Sequence, residues 1–176
     1  MDGQDFYKRF RFEFNPENNH DVKDVFDKDK VKPAEWTDLM SSVLTKIMLN
    51  AGFDKSAHKK EVSLLRGNGR GRVDHKWQGQ NETVFLELEN NITNIHSEIG
   101  NLLNSDGDLK VLITYSSNSS KRDELRKELL QQLKEHRTNR KFEFLLIMGK
   151  DDDMKAYNDW EAFHYRPSFE EVRLTV

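Results

Sequence analysis

The clearest pattern in the chain is the run 33–50, where Trp36, Leu39, Met40, Val43, Leu44, Ile47 and Met48 recur at steps of three and four. That spacing predicts an amphipathic helix, with Pro33 at its first position and Gly52 just past its end. Before it, the alternation of Phe10, Phe12 and Phe14 reads as a short strand with one buried face, followed by a weakly defined charged stretch. After it come three segments of strand character, about 58–66, 72–77 and 83–89. Their connectors, 67–71 and 78–81, are turn-like, so an antiparallel meander is the expectation. A helix over about 92–104 would place Ile92, Ile95, Ile99, Leu102 and Leu103 on one side, and the apolar run 109–115 reads as a buried strand. Ser120 and Asp123 form a capping-box-like start to a helix reaching about residue 137, with Leu125, Leu129, Leu130 and Leu133 inside. A second apolar strand follows at 142–148, and the tail holding Tyr157, Trp160, Phe163, Tyr165 and Phe169 adds a strand or a short helix. The order describes an α/β fold: a central mixed β-sheet, antiparallel meander first and parallel crossover strands after it, flanked by helices.

At 176 residues the chain suits one domain, with a core of about 33–148, an N-terminal extension at 1–32 and a C-terminal extension at 149–176. Charged residues make up 34% and the mean hydropathy is −0.87. Even so, Leu, Ile, Val and Phe supply about a quarter of the chain and Pro only 3 residues, which is a folded rather than a disordered composition. The absence of Cys excludes a disulfide framework, a thiol nucleophile and a zinc–thiolate site. No apolar run approaches the ~18 residues that span a bilayer, and the first residues lack a signal-peptide core. A soluble cytoplasmic protein with no membrane partner is the expectation.

A net charge of −3 excludes a surface that is basic all over. Its distribution changes the picture. Residues 55–76 carry Lys55, Lys59, Lys60, Arg66, Arg70, Arg72 and Lys76 against Glu61 and Asp74, a balance of +5 that leaves −8 on the rest. Within that segment three Gly accompany Arg66, Arg70 and Arg72, so the turn reads either as a phosphate-contacting hairpin, with Lys59 and Lys60 nearby, or as a flexible soluble loop.

The candidate chemistry is acidic. Glu87 and Glu89 alternate onto one face of the third strand, and Asp74 lies in the second. Three converging carboxylates make the hard oxygen environment that Mg²⁺ or Mn²⁺ prefers, while an isolated E-x-E is equally the wet face of an amphipathic strand. Lys76 shares a strand face with Asp74 and is either a site cation or a surface lysine. Glu35, in the first turn of the first clear helix, complements the helix dipole or adds an acid to the site. Asn90 and Asn91 cap the next helix or orient the site, His96 faces the site or solvent, and His75 points away from Asp74. No Ser-His-Asp arrangement can be placed, and the glycine-rich turn lacks the Lys-Ser/Thr of a P-loop.

With Val73-Asp74 on the second strand, Glu87-Leu88-Glu89 on the third and this order of elements, residues 33–116 resemble the PD-(D/E)xK nuclease superfamily. The resemblance implies a restriction-endonuclease-like core, with Asp74 and Glu87 as carboxylates for Mg²⁺ or Mn²⁺ and the Leu88 carbonyl as a further ligand. Glu35 falls where several members place an additional acidic metal-site residue. Glu89 stands where the family usually has Lys, a departure shared by some restriction enzymes, so it would position or deprotonate water or ligate a second ion. Lys76 would then be a displaced cation. The resulting expectation is a metal-dependent endonuclease hydrolysing phosphodiesters, in DNA before RNA, with the aromatic tail as a candidate homodimer interface or as core. The alternatives are a catalytically inactive module of the same fold that binds nucleic acid or a protein partner, and a structural domain that binds no nucleic acid.

Overall fold

Phe6, Phe10 and Phe14 fall at four-residue steps, and the first segment is a helix, α1 (Gly3–Glu13), with Asp2 accepting from the Asp5 N–H at its start. This corrects the expected Phe10–Phe12–Phe14 strand. Period two and period four both fit that triplet, and burial decides: Phe10 is wholly buried while Phe12, out of phase, is 59% exposed. Phe10 and Phe14 stack with ring centroids 5.3 Å apart, and both meet Trp160 edge-on. The computed structural model describes residues 1–28, 31–66, 69–89, 95–136, 141–150, 159–168 and 170–175, and of residues 65, 66, 69 and 70 the backbone alone.

The charged stretch that follows contains a short helix, α2 (His20–Phe26), capped by the Asn19 side chain. The next helix, α3 (Pro33–Asn50), buries the seven residues its spacing marks and ends at Gly52, whose φ of +88° suits glycine. Then come β1 (His58–Arg66), β2 (Gly69–Gln78) and β3 (Thr83–Glu89), an antiparallel meander. α4 (Ile95–Asn104) leads to β4 (Leu109–Tyr115), and α5 (Ser119–Glu135) leads to β5 (Glu143–Gly149). The start of α5 differs from expectation: Asn118, not Ser120, caps it, accepting from the Lys121 N–H. β3, β4 and β5 run parallel. The tail adds β6 (Trp160–Tyr165) and β7 (Glu171–Leu174), both antiparallel.

The result is one seven-stranded mixed sheet in the order β1 to β7. Two successive crossovers stepping the same way put α4 and α5 on one face, packed on Phe85, Leu112, Phe144 and Leu146. α1, α2 and α3 cover the other, packed on Leu86, Val111, Ile113 and Ile147. α1 and β6 therefore belong to the core rather than extending from it. Trp160, Phe163 and Tyr165 are buried within the chain, so these tail aromatics are core and not an open interface; Tyr157 and Phe169 lie outside the described residues. Among the described residues no helix is long and apolar enough to cross a membrane.

Candidate active site

The meander is irregular where the acids lie. β1 pairs with β2 through Lys60↔His75 and Val62↔Val73, and between these pairs Glu61 has a φ of +52°. A left-handed residue interrupts strand alternation. Lys60 and His75 accordingly border the α3 side of the sheet, whereas Val62 and Val73 pack beneath α4. The β2–β3 ladder runs from Gln78↔Thr83 to His75↔Leu86 and stops, so the two strands part at Asp74.

Two side-chain bonds cross the opening. The Asp74 N–H donates to Glu87 Oε2 at 3.1 Å, and the Leu88 N–H donates to Asp74 Oδ2 at 3.0 Å. Each carboxylate is thus held by a backbone donor of the opposite strand. Glu87 is 2% exposed, and its second oxygen, Oε1, has no hydrogen-bond partner. A buried acceptor without a donor is costly unless a proton or a cation completes it.

α4 packs across β1 to β4 and contributes a further acid, Glu98, beside Glu87 and Asp74. Asn101 donates to Glu98 at 3.2 Å, and Asn101 Oδ1 lies 2.5 Å from where a Cβ on Gly71 would stand, so glycine in β2 admits this close approach. Burial first, and then the Asp74 charge, push the Glu87 carboxyl up to about 10; the Asp74 N–H opposes the rise and Glu98 adds to it. Asp74 is raised too, chiefly by burial, against the pull of the Leu88 N–H and Glu87, with Glu61 and Glu98 adding to the rise. At neutral pH without a cation, Glu87 therefore holds the proton of this acid group.

Glu98 is not among the acids that the strand pattern marks. Its signal lies in spacing: Ile95, Glu98, Ile99 and Leu102 fall on one inner stripe of α4, so an acid stands where an apolar residue is the norm.

Glu89 is half-buried, on the Glu87 face by alternation and opposite Thr114, whose buried Oγ1 lacks a partner. Lys76 pairs with Phe85 in register, its ammonium 5.4 Å from that ring centroid. Lys59 stands opposite Lys76. Glu35 is engaged elsewhere: it accepts from Lys28 Nζ at 2.8 Å and from the Lys32 N–H at 3.0 Å, the arrangement of a helix cap, and it does not line the cleft at Asp74. Arg72 pairs with Glu61, while the side chains of Arg66 and Arg70, and all of Asn90 and Asn91, lie outside the described residues. His96 turns to Glu128 of α5. His75 Nδ1 lies 2.9 Å from His58 Nε2, and burial lowers it to about 4, so it stays uncharged at neutral pH.

Among the described residues no three His, Asp or Glu side chains form a ready-made metal cage. Mg²⁺ rarely uses one; it is commonly held by one or two carboxylates, with waters and substrate phosphates completing the shell. Asp74 and Glu87, with an unpartnered buried oxygen between strands that part, fit an ion held in that way. On the α3 side a cavity of about 300 Å³ lies beside Asp74, lined by Trp36 and Met40 of α3, Ile113 and Tyr115 of β4, and Lys60 of β1. No family model matches the chain, and no curated protein matches it.

Proposed function

We propose that this chain is a metal-dependent nuclease hydrolysing phosphodiester bonds, with DNA as the first substrate to test. The observation that carries the reading is the pair of cross-strand ties, Asp74 N–H to Glu87 and Leu88 N–H to Asp74, which hold the two carboxyls at the same break in the sheet and leave a buried oxygen of Glu87 without a donor. The order of helix, meander, helix and parallel strand around that tie supports a restriction-endonuclease-like core.

Asp74 and Glu87 would hold Mg²⁺ or Mn²⁺, which when bound lowers the pKa of a water and offsets charge on the phosphodiester. The remaining work falls to the chain. Glu87 would hold the ion as its carboxylate, its proton passing to solvent. Glu89, two residues on and partly accessible, orients the attacking water and accepts its proton. Lys60 at the cleft and the basic β1–β2 hairpin contact backbone phosphates.

The test is incubation with Mg²⁺ or Mn²⁺ and a panel of single-stranded, duplex and branched DNA and RNA. Expected are divalent-dependent cleavage, its loss in Asp74→Ala and Glu87→Ala, and a rate about 10²–10⁴-fold lower in Glu89→Gln with ion affinity kept. Absence of cleavage, or cleavage indifferent to Asp74→Ala and Glu87→Ala, overturns the reading. Nucleic-acid binding with no divalent-ion affinity would instead identify an inactive binding module.

A further inference from the structure

The cavity beside Asp74 joins two chemistries. Its walls are apolar and aromatic: Trp36 and Met40 from α3 face Ile113 and Tyr115 from β4. Its polar lining comes from Thr37 and Ser41 of α3 and from Lys60, Glu61, Asp74 and His75 of β1 and β2. At about 300 Å³ it stands at the small end of ligand pockets, ~300–1,000 Å³. It is too small for any part of a double helix and sized for one planar group. Tyr115 is half-buried and so offers ring surface to the cavity, and Trp36 meets it edge-on at 6.2 Å and 90°. Asp74, the carboxylate assigned to the ion, lines the cavity, and Lys60 is the cation in the same lining.

We propose that this cavity receives one unpaired nucleobase of the substrate, stacked on Tyr115, with the adjoining phosphate led past Lys60 to Asp74. The inference rests on the nuclease reading and adds the substrate class: a single-stranded or flipped-out nucleotide. A base has an apolar face for the ring wall and a polar edge for the Ser41 hydroxyl and for Thr37 Oγ1, which donates to the Pro33 carbonyl and is left to accept. Within a duplex both faces are stacked and the polar edge is paired, so the base reaches a pocket only by leaving the helix. An uncharged apolar ligand would use the walls and leave Lys60 without a role.

The probe is an oligonucleotide carrying 2-aminopurine, whose emission falls on stacking, titrated as single strand and as duplex into the full chain with Ca²⁺ and with EDTA. Ser41→Leu fills the cavity from a helix position that is only half-buried, Tyr115→Ala removes the stacking ring, and Tyr115→Phe keeps it. Quenching of the single strand is expected in the parent chain and in Tyr115→Phe. Loss of quenching and about tenfold weaker single-strand binding are expected in the other two variants. Unchanged quenching and affinity in Ser41→Leu and Tyr115→Ala would overturn the pocket, as would a paired duplex bound as tightly as the single strand. Cleavage measured in parallel separates the two claims. Stacking without divalent-dependent cleavage supports the base pocket and overturns the nuclease reading; cleavage with no stacking overturns the pocket alone.

Discussion

The Asp74 N–H binds the Glu87 carboxylate at 3.1 Å, while the carboxylate of Asp74 is held at 3.0 Å by the N–H of Leu88, the residue after Glu87. The two acids are therefore oriented by backbone before any ligand arrives. Orientation by neutral donors does not remove the repulsion between them. The acid group stores an electrostatic debt that a proton on Glu87 settles at neutral pH and a divalent cation would settle better.

Replacing Glu87 by Gln tests the proton. The folded-state value of about 10 lies above the ordinary 4.5, so the native chain keeps a proton that the unfolded chain releases. The associated stability is complete below about pH 4.5 and is lost as pH rises towards and through about 10. Gln is uncharged throughout, its oxygen can accept the Asp74 N–H, and its amide can donate to Glu98. At pH 8 without divalent ions Glu87→Gln is expected to be more stable than the parent by on the order of 2 kcal/mol, and the gap should close by pH 5. Urea unfolding at the two pH values checks this, and a pH-independent difference would contradict it.

Ion binding should release that proton. Mn²⁺ affinity is expected to rise with pH by up to about tenfold per unit from pH 6 to 8, approaching one proton released per ion. Calorimetry in buffers of different ionisation enthalpy measures the proton directly. Binding without release would place the ion away from Glu87.

Much of the fold was legible because local period and burial agree, as in α3 and in β4, whose bounds at 109–115 match the apolar run. Phe10, Phe12 and Phe14 were not, since their spacing fits strand and helix alike and tertiary partners, Phe26, Trp36 and the distant Trp160, decide between them. That Asp74 lies opposite Glu87 follows from strand order and the short turn between β2 and β3, whereas its orientation depends on the kink at Glu61. The place of Glu98 does not follow: helical spacing puts it on the inner stripe of α4 but says nothing of which strands lie beneath. The reversal at Glu61 was also invisible, because glutamate carries no preference for positive φ and the kink is imposed by β1 and β2 together.

That kink makes its own prediction. A non-glycine residue in the left-handed region is strained by about 1–2 kcal/mol, and Glu61 gains only an exposed pairing with Arg72 in return. Glu61→Gly is expected to leave stability equal or higher by up to about 1 kcal/mol, with ion affinity kept. Glu61→Val, β-branched, should cost about 1–3 kcal/mol and weaken ion binding by moving Asp74 back towards regular alternation. Chemical denaturation with Mn²⁺ titration of both variants checks the pair, and Val tolerated as well as Gly would show that the kink does not hold Asp74.

Lys110 should act on the site without touching it. Its ammonium, 2% exposed, donates to the carbonyls of Leu103 at 2.9 Å and Ser105 at 3.0 Å, closing the C-terminal end of α4, and lies 3.9 Å from the Phe142 ring centroid. A cation there satisfies otherwise unpaired carbonyls and complements the helix dipole. Lys110→Met keeps the length and apolar stem but leaves those oxygens without the donor, at an expected cost of about 1–3 kcal/mol. Because α4 carries Glu98, its loosened end should also relieve Glu87 of part of its acidic neighbour. Burial and Asp74 dominate the rise to about 10, so Glu87 still releases its proton at neutral pH, and it is the Mn²⁺ affinity that is expected to change in Lys110→Met along with stability. Unchanged Mn²⁺ affinity in a destabilised variant would show that α4 is anchored over the acids by its other contacts, and that Lys110 serves the helix end alone.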